Sequence, residues 1–137
     1  MAYSKLRPYG WNVTNYGSWE FQDEEQRDCF TDFMDRYVRT DSAHGAVMFL
    51  LSLRTVRDHI GRLFDFANDM IIPDGVDDDW VTSGTRRDIL TAFTLWNGSG
   101  GFSVYEVMTD DADTDARLEA LRIFNQRCEM DRRKNSI

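Results

Sequence analysis

The segment AHGAVMFLLSL, Ala43 to Leu53, constrains the fold more than any other. A helix with one apolar stripe can lie on a surface, but one that is apolar on nearly every side must be surrounded by other elements. Its longest apolar run, AVMFLL, is far too short for a bilayer, which needs about 20 residues. The segment therefore predicts a helix through the centre of a protein core, with Asp41 or Ser42 as its cap.

The flanking sequence supplies the cover. Asp23 followed by Gln26 has the form of a capping box, and Phe30, Phe33, Met34, Tyr37 and Val38 then recur at helical spacing. Thr55 caps an expected third helix, with Val56, Ile60, Leu63 and Phe64 inward and an end near Asn68, before the Ile-Ile-Pro turn. Thr82 or Ser83 begins a fourth, running to about Trp96 with Ile89, Leu90, Phe93 and Trp96 inward and stopped by the Asn-Gly-Ser-Gly-Gly run. Ser103 and Glu106 form a capping box for a short helix to Met108. Carboxylates at the head of a last helix suit its N-terminal dipole, and this helix uses Leu118, Leu121 and Phe124 to about Cys128. The fold class expected is mainly α, a single compact bundle of five to six helices. An aromatic-rich arm (residues 1–20), able to form short strands, precedes the helical domain (21–129), and a polar tail (130–137) follows it.

Length and composition agree. A chain of 137 residues is the size of one domain and buries a core without metal or disulfide help. With 42% hydrophobic and 13% aromatic residues it is not a disordered chain. The formal net charge of −8 opposes direct binding to nucleic acid, whose phosphates call for Lys and Arg. It favours a basic protein surface as partner, including one that itself binds nucleic acid. Cys29 and Cys128 read as reduced, buried thiols. With no secretory signal and no membrane span, a soluble cytoplasmic protein is expected.

The segment DGVDDDWVTSGTRRD, Asp74 to Asp88, concentrates the candidate chemistry. An EF-hand loop starting at Asp74 fails, because its third, sixth and twelfth positions are Val76, Asp79 and Thr85, where an oxygen ligand, Gly and Glu are required. The acidic residues Asp74, Asp77, Asp78 and Asp79, with a second cluster of Asp110, Asp111, Asp113 and Asp115, read instead as solvated partner-binding faces. Thr82, Ser83, Arg86 and Arg87 offer an alternative, an anion cradle at a helix start, although the G-x-x-x-x-G-K-[ST] pattern is absent. His44 and His59 do not by themselves make a metal site. No G-x-S-x-G, H-E-x-x-H or C-x-x-C pattern occurs. An enzyme is therefore not expected, and neither metal nor other cofactor.

The stretch from Leu63 to Gly98 resembles the centre of a family of small uncharacterised proteins of bacteriophages and prophages. The matching elements are Asp65–Phe66, Ile72–Pro73, Trp80 with Thr82 to Arg86, and Trp96–Asn97–Gly98. The likeness extends from about Phe21 to Cys128 and implies a phage or mobile-element origin. By analogy with small accessory phage proteins, it implies an anti-CRISPR-like, counter-defence inhibitor that covers the basic surface of a CRISPR effector or nuclease. Two other classes stand beside this: a nucleotide-binding protein or metal-assisted enzyme using residues 74–87, and a structural component of phage assembly. The expected state is a monomer or homodimer.

Overall fold

The computed structural model describes residues 19–36, 42–97 and 104–135. Among them are five α-helices: α1 (Glu24–Met34), α2 (Ser42–Leu51), α3 (Ser83–Asn97), α4 (Val104–Met108) and α5 (Thr114–Asn135). Two 3-10 helices, Arg57–Arg62 and Pro73–Asp77, and a hairpin of β1 (Phe64–Asp65) and β2 (Met70–Ile71) connect α2 to α3. The fold is mainly α.

Helix α2 is the central element. Every residue from Ala46 to Leu51 is fully buried. Helices α1, α3 and α5 all pack against it, with α5 and α3 covering most of it. On α5 the small side chains Ala116 and Ala120 face the core, and Ile123 completes the contact. This departs from the expected Leu118, Leu121 and Phe124 face: Leu118 is exposed, and Phe124 only partly covered. The reason is steric. Alanines let two helix backbones approach closely, and the stripe they define lies about a third of a turn from the leucines.

Asp23 caps α1 by accepting the Gln26 backbone N–H at 2.7 Å. The return arm of the capping box is displaced. Gln26 Oε1 accepts the backbone N–H of Gln22 at 2.6 Å, while its Nε2 donates to the Phe49 carbonyl of α2 at 2.9 Å. Gln26 is fully buried, so the capping residue also fastens α1 to the core helix. Trp19, at the end of the expected arm, is buried in an aromatic group with Phe21 and Phe30.

The expected third helix is replaced by the 3-10 turn and the hairpin. His59 interrupts regular helix with φ −112° and ψ 20°. Phe64 pairs with Ile71 and Asp65 with Met70 in antiparallel register. The turn between them is closed by Asp65, whose carboxylate accepts the Asn68 backbone N–H at 3.2 Å and its side-chain amide at 2.7 Å. Asp69 then adopts a left-handed conformation, φ 54°. Asn and Asp form such local turns readily, and here that outcompetes helix continuation. At the other end of the chain, α5 continues through residues 130–135, which the sequence reading assigned to a polar tail. The arm up to residue 18, Tyr37, Val38, Asp41, Ser103 and most of the Gly-rich stop lie outside the described residues.

Gly75 sits where the second 3-10 helix crosses the first. A Cβ there would overlap the Arg62 carbonyl oxygen, which is backbone and cannot swing away. Gly75→Ala is expected to cost about 2 kcal/mol or more in urea unfolding, as for other overpacked sites. Gly61→Ala, where a Cβ meets nothing within 4 Å, is expected to stay within about 1 kcal/mol of the parent.

Candidate functional site

Thr82 is the N-cap of α3: its Oγ1 accepts the Thr85 backbone N–H at 3.3 Å. This fixes the first turn of α3 between the two acidic segments. Arg86 reaches to one side and donates to Asp77 at 3.0 Å. Arg87 reaches to the other and donates to Asp111 at 2.7 Å. Neighbouring residues on a helix point about 100° apart, so two consecutive arginines hold two loops at once. Ser83 is exposed at the start of the helix.

The eight aspartates separate into two groups. Asp78 takes a two-pronged contact from Arg62, at 2.8 and 2.9 Å, and a third bond from the Trp80 indole N–H at 3.2 Å. The Arg62 guanidinium, with help from Trp80, holds the Asp78 carboxyl down at about 2. Trp80 in turn stacks on His59, with ring centroids 3.8 Å apart. Asp111 caps the turn before α5, its Oδ1 accepting the Asp113 backbone N–H at 2.9 Å. Burial alone would raise Asp111, but that N–H and the Arg117 and Arg87 guanidinia hold it below the ordinary carboxylate range. Asp113 accepts the Gln22 side-chain amide at 2.8 Å. By contrast, Asp74, Asp79, Asp110 and Asp115 are exposed. Asp77 is exposed too, even while paired with Arg86.

Beneath this surface lies an ionic cluster that the sequence reading did not identify. Among the described residues, Arg117 is the bulkiest fully buried side chain. Its guanidinium donates to Asp88 Oδ1 at 2.8 Å, to the Thr109 carbonyl at 2.9 Å and to the Val107 carbonyl at 3.3 Å. It also lies 3.1 Å from Asp111 Oδ1. Asp88 is itself fully buried. One sequence signal was available. The buried positions of α3 are Thr85, Asp88, Ile89, Thr91, Ala92 and Phe93, so Asp88 interrupts an otherwise inward-facing stripe. Arg117 does the same between Ala116 and Ala120 of α5, with the opposite charge.

Exposed apolar side chains adjoin the second acidic segment. On α4, Tyr105 is 82% exposed and Met108 55%. They lie three residues apart, on one helical face, immediately before Asp110. A polar pocket of about 190 Å³ lies beside Asp113, lined also by Gln22, Asp23, Arg54, Thr55 and Ala112. Among the described residues, no group of three or more His, Cys, Asp or Glu side chains could hold a metal ion. No described helix is long and apolar enough to cross a membrane. Cys29 is a free, half-buried thiol whose pKa is raised by burial.

A mainly helical domain with an acidic end built around the start of α3 defines the class. The chain belongs to a family of unknown function (DUF6075), whose model matches residues 17–132. No curated protein and no solved structure matches it.

Removing the central cation tests how much of this end it organises. Arg117→Met keeps the bulk but removes the guanidinium donor from Asp88 and from the Val107 carbonyl, while Asp111 keeps Arg87 and the Thr109 carbonyl keeps the Thr114 hydroxyl. It is expected to cost about 1–3 kcal/mol in chemical denaturation, the usual range for leaving a buried hydrogen-bonding group unsatisfied.

Proposed function

We propose that the chain is a binding protein, not an enzyme, and that its acidic end docks on a basic macromolecular surface. The carrying observation is the convergence of two acidic segments on the first turn of α3 through Arg86 and Arg87. Asp74, Asp79, Asp110 and Asp115 stay exposed there, and Asp77 is exposed beside Arg86. Such charges speed encounter and set orientation, whereas apolar anchors near the centre supply tight contact. Tyr105 and Met108 are the anchors beside Asp110. The net charge of −8 supports the same reading.

The resemblance to phage and prophage proteins leads us to a more specific target: a CRISPR effector or nuclease of the host, covered where it would hold nucleic acid. The competing reading, a phosphate ligand held by Thr82, Ser83, Arg86 and Arg87, has less support. Thr82 Oγ1 is engaged in capping, and both arginines are engaged by aspartates.

A quadruple Asp74, Asp79, Asp110 and Asp115→Asn variant separates charge from fold, because none of the four supports the ionic cluster. With purified effector complexes as probes, its affinity is expected to fall roughly tenfold or more, with a shallower salt dependence, while stability falls by no more than about 1 kcal/mol, the worth of Asp115 at the head of α5. DNA or RNA cognate to the effector is expected to compete with the parent protein. Binding by the variant equal to the parent's would reject the docking model.

A further inference from the structure

Asp88 poses a problem in hydrogen bonding. A fully buried carboxyl needs partners for both oxygens. Oδ1 accepts from Arg117 at 2.8 Å, but among the described residues Oδ2 meets no N–H or O–H donor. What Asp88 does contact is another carboxyl, that of Asp113. Two carboxylates in contact repel, whereas a carboxylic acid and a carboxylate share a strong hydrogen bond. A single proton therefore satisfies the orphaned oxygen and removes the repulsion.

The charge balance leads to the same place. The groups around Asp88 are Arg87 on α3, Asp111 and Asp113 on the α4–α5 turn, and Arg117 on α5. On α2 the ionisable residue is His44, which contacts Trp96 toward the other end of α3. From the 3-10 helix Pro73–Asp77, Asp77 is engaged by Arg86. Two guanidinia face three carboxyls. One added proton makes the cluster neutral, which suits its innermost members, the fully buried Asp88 and Arg117.

We propose that Asp88 carries a proton that it donates to the Asp113 carboxylate, and that this acid–carboxylate bond is a pH-sensitive latch between α3 and the head of α5. Arg117 still donates to Asp88 Oδ1, and Asp111 balances its charge. Burial, followed by the hydrogen bond to and charge of Asp113, outweighs Arg117 and pushes the Asp88 carboxyl up to about 9. The pocket beside Asp113 gives the proton a route to solvent.

The sign follows from linkage. Asp88 holds its proton far above the value of about 3.9 for an unfolded aspartate. Its contribution to stability is complete below that value, declines as pH rises, and is lost through about 9. Between these limits each pH unit lowers the folding equilibrium constant by up to about tenfold. Loss of the proton places two negative charges in contact and loosens the turn carrying Asp110, Asp111 and Asp113.

Asp88→Asn imitates the protonated acid, since its amide donates to Asp113 and its carbonyl accepts from Arg117. Urea unfolding between pH 5 and 9 is expected to show a stability decline in the parent that is absent from D88N. At pH 8, D88N is expected to equal or exceed the parent. Infrared spectroscopy of the parent at pH 7 is expected to show the carbonyl band of one un-ionised acid, missing in D88N and lost at alkaline pH. A parent without that band, or a D88N chain that is less stable than the parent at pH 8 or fails to fold, overturns the proposal.

Discussion

The buried guanidinium of Arg117 is the interaction on which this end of the protein depends. Its donors reach α3 through Asp88, the end of α4 through the Val107 and Thr109 carbonyls, and the following turn through Asp111. Those carbonyls lie at the end of α4, where backbone acceptors lack intrahelical partners, and the Thr109 carbonyl is held by the Thr114 hydroxyl as well. Replacing such a cluster with well-packed apolar groups often leaves stability unchanged or raises it. Its value lies in geometry: apolar packing of α5 on α2 would tolerate rotation of α5, whereas a fork of donors aimed at fixed oxygens does not.

That geometry decides which negative charges remain available at the surface. Asp111 is half spent on Arg117 and half on Arg87, and Asp78 is clasped by Arg62 and Trp80. These charges position loops. Eight aspartates look equivalent in sequence, yet four support the acidic end in different ways and four are free of the cluster. Asp77 is intermediate, since its partner Arg86 is exposed and both can turn toward solvent.

The parts of the fold legible in sequence were those fixed by local chemistry or an extreme pattern. The all-apolar α2 had to be central, and it is. Asp23 and Thr82 cap their helices because a short oxygen-bearing side chain at a helix start has a ready amide to accept from. The hairpin was missed because Phe64, Phe66 and Ile71 fit both a helical and an alternating pattern, and the deciding feature was the Asp65–Asn68 turn. The face of α5 was misread because leucines outweigh alanines on any hydropathy scale, although here small size determined which side faces α2. Asp88 and Arg117 escaped notice for a related reason. A charged residue in an acidic chain looks solvated by default, and only the partner helix, 29 residues away, shows that each completes the other.

The division of labour among carboxylates also sets what a partner must do. A basic surface approaching this end competes with Arg62, Arg86 and Arg87 for the same oxygens. It cannot cheaply displace Arg62 from a two-pronged, indole-assisted contact, nor Arg87 from a carboxylate already fixed by Arg117. It can displace Arg86, whose pair is exposed and therefore worth little. In the docking we propose, the partner's cations would be steered to Asp74, Asp79, Asp110 and Asp115, with Asp77 recruited as Arg86 swings away. Because Asp110 follows directly on α4, the same approach brings the partner onto Tyr105 and Met108. In that docking, electrostatic attraction and apolar contact would act together beside Asp110, and the buried cluster beneath would keep the head of α5 from rearranging under the field of the incoming charges.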